Sequence, residues 1–391
     1  MTDPPMSTRR RLFFRSLALA ALALTGACGR SADAPLPPLD PAALAVVSPN
    51  PGANREKLAR AIDELFADSA AGETRALLVL VNGRIVAERY GAGFDASTPQ
   101  LGWSMSKTIT ALMIGLLVSD GRLRLDESAP VPAWQRSGDP RGEITLRQLL
   151  QMRSGLRHVE SASPPYAADT VRMLFLEGRG DMASYAEAQP LAAEPGRTFA
   201  YSSATSVILS DLAARVLTDS MGPGARRQAV SDYLRSRLTL PLGMHSLVAE
   251  YDGAGTLVGS SMMHATARDW AKLGEFLRNG GAVKGAQILP RGWIELMTRP
   301  SPADPGYGAQ LWLNRPRPAG ERPLLEDGLP SGIFAAVGHL GQYVIVSPAQ
   351  GLTLVRLGHS DDGQRKVLRT RISDLLRLFP VREAPADRSA P

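Results

Sequence analysis

A serine and a lysine three residues apart, Ser104 and Lys107, are the residues of this chain best suited to chemistry. Only five of its 44 basic residues are lysines, so a retained lysine is expected to do what arginine cannot. Arginine keeps its proton in proteins, whereas a buried lysine can become neutral and act as a base. Residues three apart lie on the same face of a helix, and the pair therefore predicts a nucleophile with its base.

A helix that begins at Ser104 would position this pair. Apolar residues recur at helical spacing after the serine, and Asp120-Gly121 supplies a helix end. The N-terminus of a helix carries partial positive charge and free N–H groups, which stabilise an alkoxide or oxyanion. Burial beside Trp103 would lower the pKa of Lys107 towards neutrality. The alternative is a serine that caps the helix next to a solvated lysine.

Strand patterns lie near both ends of the chain, and helical patterns dominate the region between them. The first two strands flank Asn82-Gly83, a strong hairpin signal. We expect an α+β fold of two subdomains, in which helices flank an antiparallel sheet built from both chain ends. A mostly helical subdomain is expected as an insertion at roughly residues 125–250. The predicted strands are residues 76–81, 85–90, 343–346 and 352–357, and the predicted terminal helices are about 55–68 and 363–379.

Three further motifs follow the one that contains Ser104. They are Ile144-Thr145-Leu146-Arg147-Gln148-Leu149-Leu150 running to Ser154-Gly155-Leu156, Pro195-Gly196 leading to Tyr201-Ser202-Ser203, and Gly338-His339-Leu340-Gly341-Gln342. With Trp103-Ser104-Met105-Ser106-Lys107, the chain resembles the serine β-lactamase and penicillin-binding protein superfamily, in which Ser-x-x-Lys opens a helix of the active site. The resemblance covers roughly residues 56–378. It is closest to class C β-lactamase-like esterases and 6-aminohexanoate-dimer hydrolases.

The resemblance implies roles for a tyrosine and for two backbone amides. Tyr201 matches the tyrosine of the family's Tyr-x-Asn motif and is expected to carry a proton between Ser104 and the leaving group. Its pKa would be lowered by the neighbouring Lys107 cation. The backbone N–H groups of Ser104 and Gln342 are the expected oxyanion hole, and Gly341 would let the backbone approach the substrate closely.

Two positions depart from the family's pattern. Ser203 replaces the asparagine of Tyr-x-Asn, and His339-Leu340-Gly341 replaces Lys-Thr-Gly, which holds the substrate carboxylate in β-lactamases. Ser203 has no amide and Leu340 has no hydroxyl, so both changes favour an ester or amide substrate with less charge. Ser203 and His339 are candidate substrate-binding residues. His339 would polarise the site or orient Tyr201, and its alternative is a strand histidine with a structural hydrogen bond.

These residues predict a serine hydrolase that cleaves an ester or amide of a small molecule through an acyl-enzyme and needs no cofactor. One alternative is β-lactamase or D-amino-acid peptidase activity on cell-wall-type substrates. Another is a non-catalytic lipoprotein that binds peptidoglycan. The five histidines are scattered without a paired-ligand spacing, so no metal site is predicted. The oligomeric state does not follow from the sequence.

The N-terminus has the pattern of an export signal. Residues 1–27 join basic residues to a short apolar stretch, and Arg10-Arg11-Leu12-Phe13-Phe14-Arg15 resembles a twin-arginine signal. Thr25-Gly26-Ala27-Cys28 resembles a lipobox, in which Cys28 would be lipidated, and ordinary cleavage after Ala27 is the alternative. Lipidation is favoured because Cys28 is the single cysteine of the chain. We therefore expect an exported, periplasmic lipoprotein anchored to the membrane.

The remaining segments are assigned from composition and charge. Residues 28–54 are rich in alanine and proline and predict a tether, 55–380 form the hydrolase domain, and 381–391 form a disordered tail. Four arginines and one aspartate in residues 1–27 supply +3 of the formal net charge of +6. The remaining charge is spread along the chain, so nucleic-acid binding is not predicted.

Overall fold

The computed structural model describes residues 38–318 and 323–381, and strands from both ends of this part of the chain form its central sheet. The strands are β1 (Glu73–Val81), β2 (Arg84–Tyr90), β3 (Gln100–Leu101), β4 (Val248–Ala249), β5 (Met263–Ala265), β6 (Ala282–Val283), β7 (Ala286–Gln287), β8 (Trp312–Leu313), β9 (Phe334–Gly338), β10 (Gln342–Ser347) and β11 (Leu352–His359). Six of them form an antiparallel sheet in the order β2-β1-β11-β10-β9-β8. The remaining strands form two small sheets, β3-β5-β4 and β6-β7.

Helices precede, follow and interrupt this sheet. The α-helices of the described residues are α1 (Pro41–Ala45), α2 (Arg55–Ala67), α3 (Ser106–Ser119), α4 (Leu146–Leu150), α5 (Asp169–Phe175), α6 (Met182–Glu187), α7 (Ser203–Leu217), α8 (Pro223–Leu234), α9 (Leu240–Leu242), α10 (Ala267–Arg278), α11 (Arg291–Thr298) and α12 (Gln364–Arg377). The predicted terminal helices correspond to α2 and α12. No helix within the described ranges has the length and apolar character needed to cross a membrane.

The pairing of β1 with β11 joins the two ends of the body. Asn82 and Gly83 form the predicted turn between β1 and β2, and both have the positive φ that a tight hairpin turn requires (51° and 79°). β1 then pairs antiparallel with β11 from Glu73 to Val81. The fold class expected from the sequence, an α+β structure with a sheet built from both chain ends, is confirmed. The bounds of the inserted helical subdomain, roughly 125–250, stay a prediction.

Successive side chains of each strand enter two separate cores. On β1, Leu78 and Leu80 belong to the core shared with α3, α7 and α10, whereas Leu77 and Val79 belong to the core shared with α2 and α12. β10 and β11 alternate in the same way. With both faces covered, the centre of the sheet is a rigid support for the residues at its edge.

The predicted tether ends earlier than residue 54. From Leu39 onward the chain belongs to the compact unit that contains the sheet. Val47 is buried and forms a bridge to Ala87 of β2, and the Arg55 guanidinium donates hydrogen bonds to the carbonyls of Val47 and Leu44. The proline-rich composition therefore placed the end of the tether too late in the chain. A few apolar side chains suffice to hold this segment on the sheet. The predicted signal peptide, Cys28 and the predicted tail beyond Val381 lie outside the described residues.

Candidate active site

Ser104 lies in a 3₁₀ turn, Trp103–Met105, that leads directly into α3. Trp103 has a φ of 48°, a left-handed conformation that is rare for a bulky residue. Gly102 packs so closely that a Cβ atom there would lie 2.3 Å from the ring of Trp270. The backbone before the serine is therefore strained and tightly packed. The serine itself lies at the N-terminal end of a helix, as predicted, where unpaired N–H groups favour negative charge.

Lys107 is buried with its amine against three oxygen atoms. The residue is 1% exposed, and its Nζ atom lies 3.1 Å from the Oγ atom of Ser104. The other two contacts, both 2.9 Å, are with the Oγ atom of Ser203 and the backbone carbonyl of Ser260. Burial lowers the pKa of Lys107 to about 8, although the negative charge of Glu160 raises it. This is the direction that the sequence predicted, and it makes a neutral amine accessible near neutral pH.

Tyr201 stands immediately before α7 and shares a side-chain hydrogen bond with Ser104. The centre of its ring is 5.0 Å from the Lys107 amine, and the ring stacks on Trp312 at 5.3 Å. Burial, together with the negative charge of Glu160, raises the pKa of Tyr201 above its ordinary value. The lowered pKa expected from the sequence is wrong, because burial outweighs the lysine. Tyr201 is thus a neutral phenol that can donate a proton.

Ser203 is bound on both sides rather than left open for a substrate. Its Oγ atom accepts a hydrogen bond from Lys107 and donates one, 2.7 Å long, to Oε1 of Glu160. Its backbone N–H donates to Oε2 of Glu160 at 2.8 Å, as does the Thr170 hydroxyl at 2.9 Å. Nε2 of His158 lies 2.8 Å from the same oxygen. Although burial raises it, the hydrogen bond with His158 and the charge of Lys107 lower the pKa of Glu160 to about 2, so this carboxylate is ionised.

Sequence reasoning missed Glu160, which the structure places two hydrogen bonds from Lys107. The signal available was the stretch His158-Val159-Glu160, directly after Ser154-Gly155-Leu156. In an extended segment, side chains two residues apart lie on the same face. Two titratable groups on one face, next to a motif of the site, are a reason to look for a role.

His339 lies in the turn between β9 and β10, beside the nucleophile, and not within a strand. Its ring packs edge-on against Trp103 with the ring centres 5.4 Å apart. Burial and the charge of Arg365 lower the pKa of His339, so its imidazole is neutral at neutral pH. Its ring contact is with Trp103 and not with Tyr201, and the expected orienting role towards the tyrosine has no support.

Gly341 and Gln342 serve the turn and do not line the cavity at Ser104. The side-chain amide of Gln342 donates to two carbonyls of the turn, those of His339 and Leu340. Gly341 has a φ of 80°, and a Cβ atom there would lie 2.8 Å from the guanidinium of Arg356. The side chain of this turn that borders Ser104 is therefore that of His339. The role expected for the backbone N–H of Gln342 in the oxyanion hole stays a prediction.

A cavity of about 480 Å³ opens at Ser104. Trp103, Ser104, Glu160, Ser203, Ser261 and His339 line its catalytic side. The opposite wall is mostly apolar and comes from one stretch of chain, with Ala162, Pro165, Ala168, Val171, Leu174 and Phe175. Two carboxylates, Glu160 and Asp362, are among the lining residues, and no lysine or arginine is. The cavity thus combines an apolar wall with a negative rim.

The family model of the β-lactamases, described as "Beta-lactamase", matches residues 59–377. The match spans the four motifs that carry the resemblance, and it begins within α2 and ends with α12. The chain belongs to the β-lactamase family. This confirms the resemblance seen in the sequence motifs. Because its relatives include hydrolases and esterases, the chain is a serine hydrolase of the β-lactamase-related family.

Three relatives show how far this family likeness extends. A 6-aminohexanoate-dimer hydrolase of Paenarthrobacter ureafaciens is 26% identical over 302 residues, which are 74% of this chain and 73% of the relative. A penicillin-binding protein homologue of Caulobacter crescentus has a TM-score of 0.59 at 18% identity, covering 84% of this chain and 99% of the other. A family VIII carboxylesterase has a TM-score of 0.58 at 17% identity, covering 85% and 98%. The two structural likenesses concern the fold.

Within residues 38–318 and 323–381, no group of three or more histidine, cysteine, aspartate or glutamate side chains is arranged to hold a metal ion. Cys28, the predicted lipidation site, lies outside the described residues.

Proposed function

We propose that this enzyme hydrolyses uncharged esters through an acyl-enzyme formed on Ser104. The observation that carries the proposal is the position of the buried Lys107 amine, 3.1 Å from the Ser104 oxygen and with its pKa lowered to about 8 by burial. A base with a pKa near the working pH transfers protons efficiently. The hydrogen bond between Tyr201 and Ser104 adds a proton donor on the other side of the nucleophile.

The steps follow from these contacts. Neutral Lys107 accepts the hydroxyl proton of Ser104 as the serine oxygen attacks the substrate carbonyl and a tetrahedral oxyanion forms. Tyr201 donates its proton to the leaving group as that bond breaks, and the Lys107 cation returns a proton to Tyr201. Water then attacks the acyl-enzyme and gives a proton to neutral Lys107, and the Lys107 cation passes a proton to the serine oxygen as the acyl bond breaks. The acid is released and the resting enzyme is restored.

The oxyanion needs two N–H donors near Ser104. The backbone N–H of Ser104 is the first donor, since it lies in the first turn at the helix N-terminus, where amides have no partner within the helix. The second donor in this proposal is the backbone N–H of His339 rather than that of Gln342, because His339 lines the cavity beside Ser104. Removing one such donor typically costs about 10²–10³ in kcat.

The shape and charge of the cavity favour uncharged acyl groups. The apolar wall from Ala162 to Phe175 can cover a short hydrocarbon chain, and each buried CH₂ group contributes about 0.8 kcal/mol. A substrate carboxylate would instead meet Glu160 and Asp362 with no lysine or arginine on the cavity surface. β-Lactams carry such a carboxylate, so this site disfavours them.

Labelling with a fluorophosphonate probe tests the nucleophile. The wild-type protein should react covalently, and Ser104→Ala should not. Ser106→Ala is the matched control, since Ser106 is buried two residues away and its Oγ atom accepts a hydrogen bond from the backbone of Met263. An unlabelled wild type, or equal labelling of Ser104→Ala, would favour the non-catalytic lipoprotein instead.

A matched pair of esters tests the substrate class. p-Nitrophenyl butyrate and p-nitrophenyl hemisuccinate share a leaving group and differ by a terminal carboxylate. We expect kcat/KM to be at least about tenfold higher for the butyrate, a difference of about 1.4 kcal/mol in transition-state stabilisation. Asp362→Asn should reduce the ratio of the two kcat/KM values. Faster turnover of a chromogenic cephalosporin than of the butyrate would overturn the proposal in favour of β-lactamase activity.

Hydrolysis of linear amides is a second candidate, suggested by the 6-aminohexanoate-dimer hydrolase that is 26% identical to this chain. The feature that favours it is the negative rim formed by Glu160 and Asp362, which would attract an amine on the substrate. Comparing a linear amide that has a free amine with its N-acetylated form tests this. A clear preference for the free amine supports the amide hydrolase, and equal rates count against it.

We also propose that the enzyme acts outside the cytoplasm as a lipoprotein anchored through Cys28. The twin-arginine-like leader and the lipobox-like sequence support this location. In the native host, Cys28→Ala should move the exported protein from the membrane fraction to the soluble fraction. Unchanged membrane association of that variant would contradict lipidation.

A further inference from the structure

Glu160 is a partly buried carboxylate that the acyl-enzyme steps do not use. It lies in the loop before α5 and accepts hydrogen bonds from the hydroxyl and the backbone N–H of Ser203. About a quarter of its side chain is exposed, at the cavity surface. Burying part of a charge costs free energy unless hydrogen bonds compensate for it, and the contacts with Ser203 supply two of these bonds.

The hydroxyl of Ser203 has a single proton, and the carboxylate determines where it goes. An ionised carboxylate can only accept hydrogen bonds, so Ser203 must donate its proton to Oε1 of Glu160, 2.7 Å away. The 2.9 Å contact between Ser203 and Lys107 then has one possible direction, with the lysine donating. Without the carboxylate, the hydroxyl could turn and donate its proton to the lysine nitrogen.

This direction decides where the lone pair of a neutral lysine points. A neutral amine has two N–H groups and one lone pair. One N–H is donated to Ser203 and the other to the carbonyl of Ser260, which is also an acceptor only. The third direction, towards Ser104 at 3.1 Å, is the one left for the lone pair. The amine is thus held ready to receive the proton of the nucleophile.

We propose that Glu160 is a positioning residue of the hydrolase, which orients the Ser203 hydroxyl so that the Lys107 lone pair is directed at Ser104. This inference rests on the proposed function of Ser104 and Lys107. The same carboxylate stabilises the lysine cation that forms when the serine proton is transferred.

Several other titratable groups surround the contacts that join Glu160, Ser203 and Lys107. His158 faces Oε2 of Glu160, and the ring of Tyr201 faces the Lys107 amine. The charge of Glu160 also acts on Tyr307, whose pKa burial raises, so this phenol stays neutral. His339 and Asp362 lie at the cavity beyond Ser104. Of these groups, Glu160 is the one whose charge raises the pKa of Lys107.

Glu160→Gln tests the proposal because it removes the charge and keeps the shape. The maximal rate of Ser104 acylation, followed by fluorophosphonate labelling and by ester hydrolysis, should fall at least about tenfold. The acidic limb of the pH profile should move to lower pH by about one unit, since an opposite charge no longer favours protonated Lys107. A structural role alone would lower the rate without moving the limb.

Asp169→Asn is the matched control. Asp169 is a buried carboxylate at the start of α5, and it accepts hydrogen bonds from the Val159 backbone and the Tyr185 hydroxyl. The substitution makes the same chemical change in the same loop and does not touch Ser203 or Lys107. The acidic limb of the pH profile of Asp169→Asn should lie at the same pH as that of the wild type. An equal shift in Asp169→Asn would overturn the proposal, because it would reflect the disturbed loop.

Ser203→Ala supplies a second test, in combination with Glu160→Gln. If Glu160 acts through Ser203, the two substitutions should be non-additive, and Glu160→Gln should cost less in the Ser203→Ala background than in the wild type. Additive losses with an unshifted limb would overturn the positioning role and leave the serine hydrolase intact. A wild type that never labels at Ser104 would instead overturn the proposed function and this inference with it.

Discussion

At the residue scale, the environment of one lysine amine accounts for most of the chemistry. Lys107 touches the nucleophile, a hydroxyl and a carbonyl, and burial brings its pKa to about 8. An arginine could not replace it, because a guanidinium keeps its proton and has a planar shape. The scarcity of lysine in the sequence was therefore a useful signal for this position.

The pH dependence of hydrolysis follows from the same amine. Lys107 must be neutral to accept the proton of Ser104, so kcat/KM should rise with pH and reach half of its maximum near pH 8. Because burial raises the pKa of Tyr201, its phenol should cause no loss of activity below about pH 10. Initial rates of p-nitrophenyl butyrate hydrolysis between pH 6 and 10, corrected for spontaneous hydrolysis, measure this.

Lys107→Met is the control for that profile. Methionine has a similar length and no base, so the variant should lose the acidic limb together with nearly all activity. A wild-type rate that is flat across this range would contradict lysine as the base.

The sequence predicted the reacting residues better than their surroundings. Ser104, Lys107 and Tyr201 stand in motifs, and the structure brings them together. Glu160 carries no motif, and its contact with Ser203 joins residues 43 positions apart, which local spacing cannot show. Which backbone N–H of the turn between β9 and β10 faces the cavity depends on the path of that turn, which the sequence motif does not show.

At the element scale, two tight turns hold the site. The 3₁₀ turn of Ser104 and the turn between β9 and β10 approach each other through backbone, with no room for a side chain between them. A Cβ atom on Gly338, the last residue of β9, would lie 2.1 Å from the carbonyl oxygen of Gly102. The sequence could predict the strands from their patterns, but a contact between two glycines leaves no pattern to find.

Gly338→Ala should therefore damage catalysis more than folding. The added methyl group would push β9 away from the 3₁₀ turn and displace the His339 amide from Ser104. A displacement of about 1 Å can cost roughly 10² in rate. We expect a loss of kcat/KM of that order, with a smaller effect on the thermal midpoint, as measured by ester hydrolysis and by circular dichroism.

Gly292→Ala provides the comparison for that variant. Gly292 lies in α11, and a Cβ atom there would meet nothing within 4 Å. Alanine favours the helix by about 1 kcal/mol, so this variant should keep its activity and melt no earlier than the wild type. Wild-type activity in folded Gly338→Ala would show that the close approach of the two turns is not needed.

At the scale of the whole molecule, the last strand completes the sheet. β11 lies between β1 and β10 and contributes to both cores. Arg356 of this strand is fully buried, and its guanidinium donates to the carbonyls of Glu73 and Gly341. One side chain thus ties the first strand to the turn that carries His339. The overall sheet was predictable because its strands alternate clearly, whereas a buried arginine in a strand gives no sign of what it joins.

A chain that ends after Gln350 should fail to fold. It lacks β11 and α12, which leaves β1 and β10 without their shared neighbour and both cores open. A chain that ends at Val381 keeps every described element and should retain the melting transition and the esterase activity. Expression level in the soluble fraction, circular dichroism and ester hydrolysis distinguish the two. Activity in the shorter chain would mean that the site forms without the complete sheet.

The apolar wall of the cavity comes from a single short stretch, Ala162 to Phe175, which holds none of the reacting groups. Selection can therefore alter the apolar positions of that stretch without disturbing proton transfer, provided that Thr170, which donates to Glu160, is kept. Random libraries restricted to these positions should yield enzymes with new acyl preferences and unchanged machinery, whereas libraries spread over the whole chain should yield mostly inactive proteins. A duplicated gene could diverge by the same substitutions, so related enzymes could accept different acyl groups while they catalyse the same reaction.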